Sequence, residues 1–151
     1  MAKKKPTQKV IKIVNGKSVE DWDKEWVRVP RGFRDLQSQL RSEIGIFAAK
    51  QNGIVKYVGV AAQSNNGGLR AGLARARLKE QSGNDSHGMT QIKANLDTVE
   101  AYIICTKDPV SRVQDAKDLA KAMIALHKPE WNAPKSVVAA ARRASYENRS
   151  R

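Results

Sequence analysis

Gly45-Ile46-Phe47-Ala48-Ala49-Lys50-Gln51-Asn52-Gly53-Ile54-Val55-Lys56-Tyr57-Val58-Gly59 is the stretch that decides the fold. Two apolar, β-prone runs flank an Asn-Gly pair. Both residues of such a pair accept positive φ, so the spacing predicts a tight hairpin. Along the first run Ile44, Ile46 and Ala48 fall on one face, and Gly45, Phe47 and Ala49 on the other. Alternation puts Val55, Tyr57 and Gly59 of the second run together. A glycine weakens a strand interior and marks a close approach by a backbone or a ligand. Gly45, Gly59 and the Tyr57 hydroxyl therefore outline the floor of a candidate site.

Outward from the hairpin, the chain has 151 residues with 40% hydrophobic content, which suffices for one compact domain with a modest core. Lys and Arg number 28 against 15 Asp and Glu, a formal net charge of +13. A charge of that size points to a polyanion, and nucleic acid suits it better than an anionic membrane surface. A protein–protein adaptor would leave the charge without a purpose. The single cysteine, Cys105, excludes an intrachain disulfide and fits a reducing compartment. It ends the apolar run Tyr102-Ile103-Ile104-Cys105 and reads as a small core residue. No long apolar segment follows the N-terminal lysines, which predicts no signal peptide, no membrane contact and a cytoplasmic, nucleoid-associated protein.

Residues 1–9, with Lys3, Lys4 and Lys5, read as a basic flexible arm. Residues 10–43 read as an N-terminal extension packing on the core. In it a strand, Val10–Val14, ends at Asn15-Gly16, Ser18 caps a short helix, and Trp22 and Trp26 share a helical face. Pro30-Arg31-Gly32 is a break, after which Leu36 and Leu40 share a face of a second short helix. Beyond the hairpin, Leu69–Glu80 is predicted helical, capped by Asn66, with Leu69, Leu73 and Ala76 inward. Arg70 and Arg77 flank that stripe, and Arg75 points elsewhere. A guanidinium at a helix edge beside a strand can fork onto two phosphate oxygens; the alternative for each arginine is a solvated basic face. Gln81–Gly88 reads as a polar loop holding His87, Thr90–Leu96 as a helix and Val99–Thr106 as a third strand. A helix follows whose inward stripe is Val113, Ala116, Ala120, Met123 and His127, widened by Leu119, Ile124 and Leu126. Residues 134–151 form a basic C-terminal helix or tail in which Arg142 and Arg143, like Lys56 on the hairpin, offer a sequence-independent grip on phosphate. The fold class expected is α/β of the α+β kind: a small antiparallel central sheet of three strands flanked by helices.

Gly45-Ile46-Phe47, the hairpin, Tyr57-Val58-Gly59 and the turn Pro129-Glu130-Trp131-Asn132 together resemble the GIY-YIG nuclease superfamily over residues 44–133. Phe47 stands where that family has tyrosine, and Val58 where it often has isoleucine. The resemblance implies a divalent-metal-dependent endonuclease that hydrolyses phosphodiesters in double-stranded DNA with Mg2+ or Mn2+. Tyr57 would take the proton from the attacking water, as phenolate or through a further water. Phe47 offers no second hydroxyl. One arginine, Arg70 before Arg77 before Arg75, would stabilise the charge on the phosphate, with His87 assisting. Gly45, Phe47, Gly59 and Asn132 would be the structural residues of the motif. The family's metal-binding glutamate falls twelve positions before Asn132, where this chain has Ala120. A hard cation needs carboxylate oxygen, so the chain is expected to be an inactivated form, with glutamate replaced to spare the host. The alternative is a native, non-catalytic nucleic-acid-binding protein using the same basic surface. A double-strand cut by so small a domain would imply a homodimer or two successive nicks.

Overall fold

The computed structural model describes residues 10–35, 37–62, 67–76 and 87–132. Strands β1 (Ile13–Val14) and β2 (Lys17–Ser18) form a small hairpin over Asn15-Gly16. Helix α1 (Val19–Asp23) follows, with the Ser18 hydroxyl accepting the Asp21 N–H at 3.2 Å as an N-cap should. Strand β3 (Val27–Val29) leads through a 3-10 turn at Ser38–Leu40 to the long hairpin, β4 (Gly45–Gln51) and β5 (Ile54–Ala61). Then come α2 (Gly68–Ala74), α3 (His87–Ala94), β6 (Val99–Cys105), α4 (Arg112–His127) and a 3-10 turn at Glu130–Asn132.

The fold is the expected α+β arrangement, but the central antiparallel sheet has four strands, in the order β3-β6-β4-β5, and not three. The extra one is β3, which pairs with β6 from Val27↔Ile103 to Val29↔Ala101. Three residues are too few for a period-two signal, so this strand exists because β6 offers it an edge. At the hairpin, Asn52 and Gly53 have φ of 55° and 77°, the conformation the Asn-Gly pair predicts. A bulge interrupts the register: Ala49 pairs with Tyr57 but Lys50 with Val55, so Lys56 is the extra residue. The bulge overturns the expected alternation of β5. Val55 packs with Val58 on one side of the sheet, while Tyr57 packs on the other.

Each face of the sheet carries an apolar layer. One holds Phe33, Phe47, Ala49, Ala61, Leu69, Leu73, Met89, Ile92 and Trp131, covered by α2, α3 and the last 3-10 turn. The other holds Val14, Trp22, Ile46, Ala48, Val58, Leu119, Ala120 and Met123, covered by α4 and the N-terminal segment. Trp22 is fixed there by its indole N–H, which donates to the Val14 carbonyl at 2.9 Å. Several helix expectations shift. The N-cap of α2 is Gly67, not Asn66, and α3 begins at His87, so His87 and Gly88 are helical and not in a loop. Val113 and Leu126 of α4 are exposed, because only Asp115, Ala116, Leu119, Ala120, Ala122 and Met123 face the sheet. Leu36, Asn66 and residues 77–80 of the expected helices lie outside the described residues.

Candidate functional site

The motif glycines owe their identity to packing. A Cβ on Gly45 would collide with the Ile104 carbonyl oxygen, and one on Gly59 with the tip of the Phe47 ring. Both close approaches are internal, so neither glycine is accounted for by a ligand. Phe47, nearly fully buried, lies across Gly59 and meets Phe33 edge-on at 6.4 Å between centroids. On its other side it meets Tyr57 at 6.0 Å with the rings tilted by 47°. Three aromatic rings thus cross one face of the sheet and end at Tyr57 on the edge strand β5.

Tyr57 is half-buried, and its hydroxyl has no hydrogen-bond partner among the described residues. Its ring is wedged against Gly88, where a Cβ would collide with it and lie 3.0 Å from the Trp131 carbonyl oxygen. Gly88 therefore lets α3 close on the ring, and His87 precedes it at the helix start, half-buried. The strand under Tyr57 is held from its free edge. Asn132 Oδ1 accepts the Val58 N–H at 2.8 Å, and Asn132 Nδ2 donates to the Val58 carbonyl at 3.0 Å. Both peptide groups point away from β4, so one side-chain amide completes the ladder where no further strand exists. Next to it Lys56 Nζ donates to Glu130 Oε2 at 2.8 Å. That hydrogen bond, with the ammonium's charge, holds the Glu130 carboxyl below the usual glutamate range.

Arg70 flanks the buried Leu69 and Leu73 of α2, as the spacing predicts, on the side away from Phe47. The flank of α2 that lies on Phe47 is Gly72, whose Cβ position is 3.1 Å from the ring. Arg70 lies roughly 160° around the helix from Gly72 at about 100° per residue. It is half-buried, with no ion pair or hydrogen bond among the described residues. Arg75 is exposed at the C-cap of α2. Arg77, Lys3, Lys4, Lys5, Arg142 and Arg143 lie outside the described residues.

Ala120 does not join Tyr57. It is 6% exposed and packs in the opposite layer, with Ile46, Ala48 and Val58. Among the described residues no group of three His, Cys, Asp or Glu side chains could hold a metal ion. With a methyl group at position 120, the described residues do not fit a divalent cation there. Sequence reasoning missed Gly88 and Gly72, the two glycines that set how closely α3 and α2 approach the tyrosine and phenylalanine. For Gly72 a glycine inside a helical pattern was the only signal, whereas Gly88 read as the end of a polar loop.

No family model and no curated protein matches the chain. Among solved structures, two similar ones are crystal structures of the GIY-YIG N-terminal endonuclease domain of UvrC from Thermotoga maritima, each a tyrosine-to-phenylalanine point mutant bound to the catalytic divalent cation. The first is 18% identical with a TM-score of 0.47, and the second 20% identical with a TM-score of 0.46. Each alignment covers 66% of this chain and 90% of that domain.

Proposed function

We propose that the chain is a nucleic-acid-binding domain of the GIY-YIG nuclease kind whose phosphodiester cleavage requires a carboxylate at position 120, which alanine here removes. The observation that carries this reading is the state of Tyr57: a hydroxyl without a partner among the described residues, on a strand clamped at Val58 by Asn132. The clamp supports it because it gives the Pro129–Asn132 turn a task at the strand that carries the tyrosine. In this reading Tyr57 accepts the proton of the attacking water, and Arg70 of α2, whose side chain has no ion pair among the described residues, stabilises the phosphate charge. The substrate is duplex DNA, matched by the net charge of +13. With Ala120 the chain itself binds and does not cut.

A second reading, a binding module that never cuts, is favoured by the apolar surroundings of Ala120. Supercoiled plasmid incubated with Mg2+ or Mn2+ separates the two. Nicking by Ala120→Glu but not by the unaltered chain, abolished by EDTA and by adding Tyr57→Phe, is the expected result. Binding by both proteins without nicking by either sinks the nuclease reading and leaves the binding module.

A further inference from the structure

Helix α4 turns its apolar side to the sheet through Ala116, Leu119 and Met123, each essentially fully buried. Its opposite side carries Lys117 and Lys121, one turn apart, and the line continues to Lys128 at the C-cap. At about 100° per residue Lys117 and Lys121 lie roughly 40° apart on the helix, and Lys128, with a φ of 47°, adds a third cation just past its end. All three are exposed, and none of their ammonium groups has an ion pair or hydrogen bond among the described residues. The nearby acids do not answer them. Asp115 is buried against the Ser111 hydroxyl at 2.8 Å, and Asp118 accepts the Gln114 amide at 2.9 Å.

The arginines at the β3 edge of the sheet behave differently. Around a cleft of about 270 Å³ at the β3 edge, Arg28, Arg31 and Arg34 each have a carboxylate partner, in Glu100, Asp35 and Asp97. A helix stabilised for its own sake would place an acid four residues from Lys117; a second lysine there is mildly repulsive. Six buried residues on the far side make the stripe a fixed platform.

We infer that the outer face of α4, through Lys117, Lys121 and Lys128, is a second contact for the phosphate backbone of duplex DNA, on the side of the sheet opposite Tyr57. Lysine ammonium groups suit phosphates read as point charges, without regard to base sequence. The inference rests on the nucleic-acid part of the reading above and not on its chemistry. A domain that meets the duplex on two faces bends it or bridges two segments.

The test uses the full chain, a fluorescently labelled duplex of arbitrary sequence and anisotropy titrations from low to high salt. The triple variant Lys117→Gln, Lys121→Gln, Lys128→Asn should lower the slope of log K against log salt by about 2 to 3, with its melting temperature retained. A charge-matched control, Arg28→Gln, Arg31→Asn, Arg34→Gln, should leave that slope nearly unchanged. Equal losses in the two triples would reduce the effect to net charge and overturn the stripe. An unchanged slope in the lysine triple, with its retention on polyglutamate impaired, would overturn it in favour of an acidic protein partner. An unaltered chain that binds no duplex would sink this inference and the nuclease reading together, whereas nicking by Ala120→Glu with an unchanged slope in the lysine triple sinks only the stripe.

Discussion

The side-chain amide of Asn132 serves Val58 as a neighbouring strand would, with one donor and one acceptor spaced to match the peptide groups. Asn132→Ala leaves both groups at a partly buried edge without partners, which costs about 1–3 kcal/mol by the usual penalty for unsatisfied groups. The expected outcome in urea unfolding is a loss in that range, with faster hydrogen exchange at the Val58 amide. Unchanged exchange there would mean the clamp does not secure the strand. Beside it, the Lys56–Glu130 pair sets a pH dependence. The folded Glu130 carboxyl is lowered, first by its hydrogen bond to Lys56 and then by that charge. A lowered acid contributes stability that is present above its unfolded pKa and is lost as pH falls through the folded one. The stability difference between the unaltered chain and Lys56→Met should therefore shrink toward zero on acidification below the ordinary glutamate range. The pair is exposed on the glutamate side, so the difference is small even at neutral pH and is best followed as a shift in melting temperature.

At the scale of elements, the β4–β5 hairpin separates two uses of glycine. Gly53 has φ of 77° and open space where a Cβ would go. Gly53→Ala thus meets only backbone strain and costs roughly 1–2 kcal/mol. Gly59 lies under the Phe47 ring, so Gly59→Ala must displace a buried aromatic. Its cost belongs at the upper end of the roughly 1–3 kcal/mol for overpacking, or beyond it. Chemical denaturation of the two variants should rank Gly59→Ala as the more damaging; the reverse order would mean the ring moves aside freely. The hairpin was legible from Asn52-Gly53 and the flanking apolar runs because its determinants are local. The side on which Val55 packs was not, because one extra residue at Lys56 reverses the alternation and nothing in its identity announces a bulge. Strand β3 was illegible for the opposite reason: three residues gain their structure from β6. The resemblance marked Tyr57 and the Pro129–Asn132 turn, but that the asparagine holds Val58 at the sheet edge appears only in the structure. The approach of α2 and α3 to the site was not legible either, since Gly72 and Gly88 act through contacts distant in sequence.

For the molecule as a whole, the sheet divides the expected catalytic residues. Tyr57 packs with the layer under α2 and α3, and position 120 with the layer under α4. Strand β5 is an edge strand, and the chain leaving α4 wraps around that edge to place Asn132 there. If a side chain from each layer acts on a common phosphate, that edge is where the two must meet. Ala120 is 6% exposed, so a glutamate there must either bury its carboxylate or extend toward the edge. Burial without a partner costs roughly 1–3 kcal/mol by mutational measures, and more if the charge is retained. Ala120→Glu is therefore expected to melt below the unaltered chain in EDTA. If the carboxylate reaches the edge and finds a cation, Mg2+ or Mn2+ should restore part of that loss in the variant and leave the unaltered chain unmoved, because a ligand stabilises only the state that binds it. Thermal melts of both proteins with and without the ion decide it. Recovery confined to the glutamate variant places position 120 within reach of a metal site. A deficit untouched by either ion would mean that glutamate is simply buried and that the two layers never act on one phosphate.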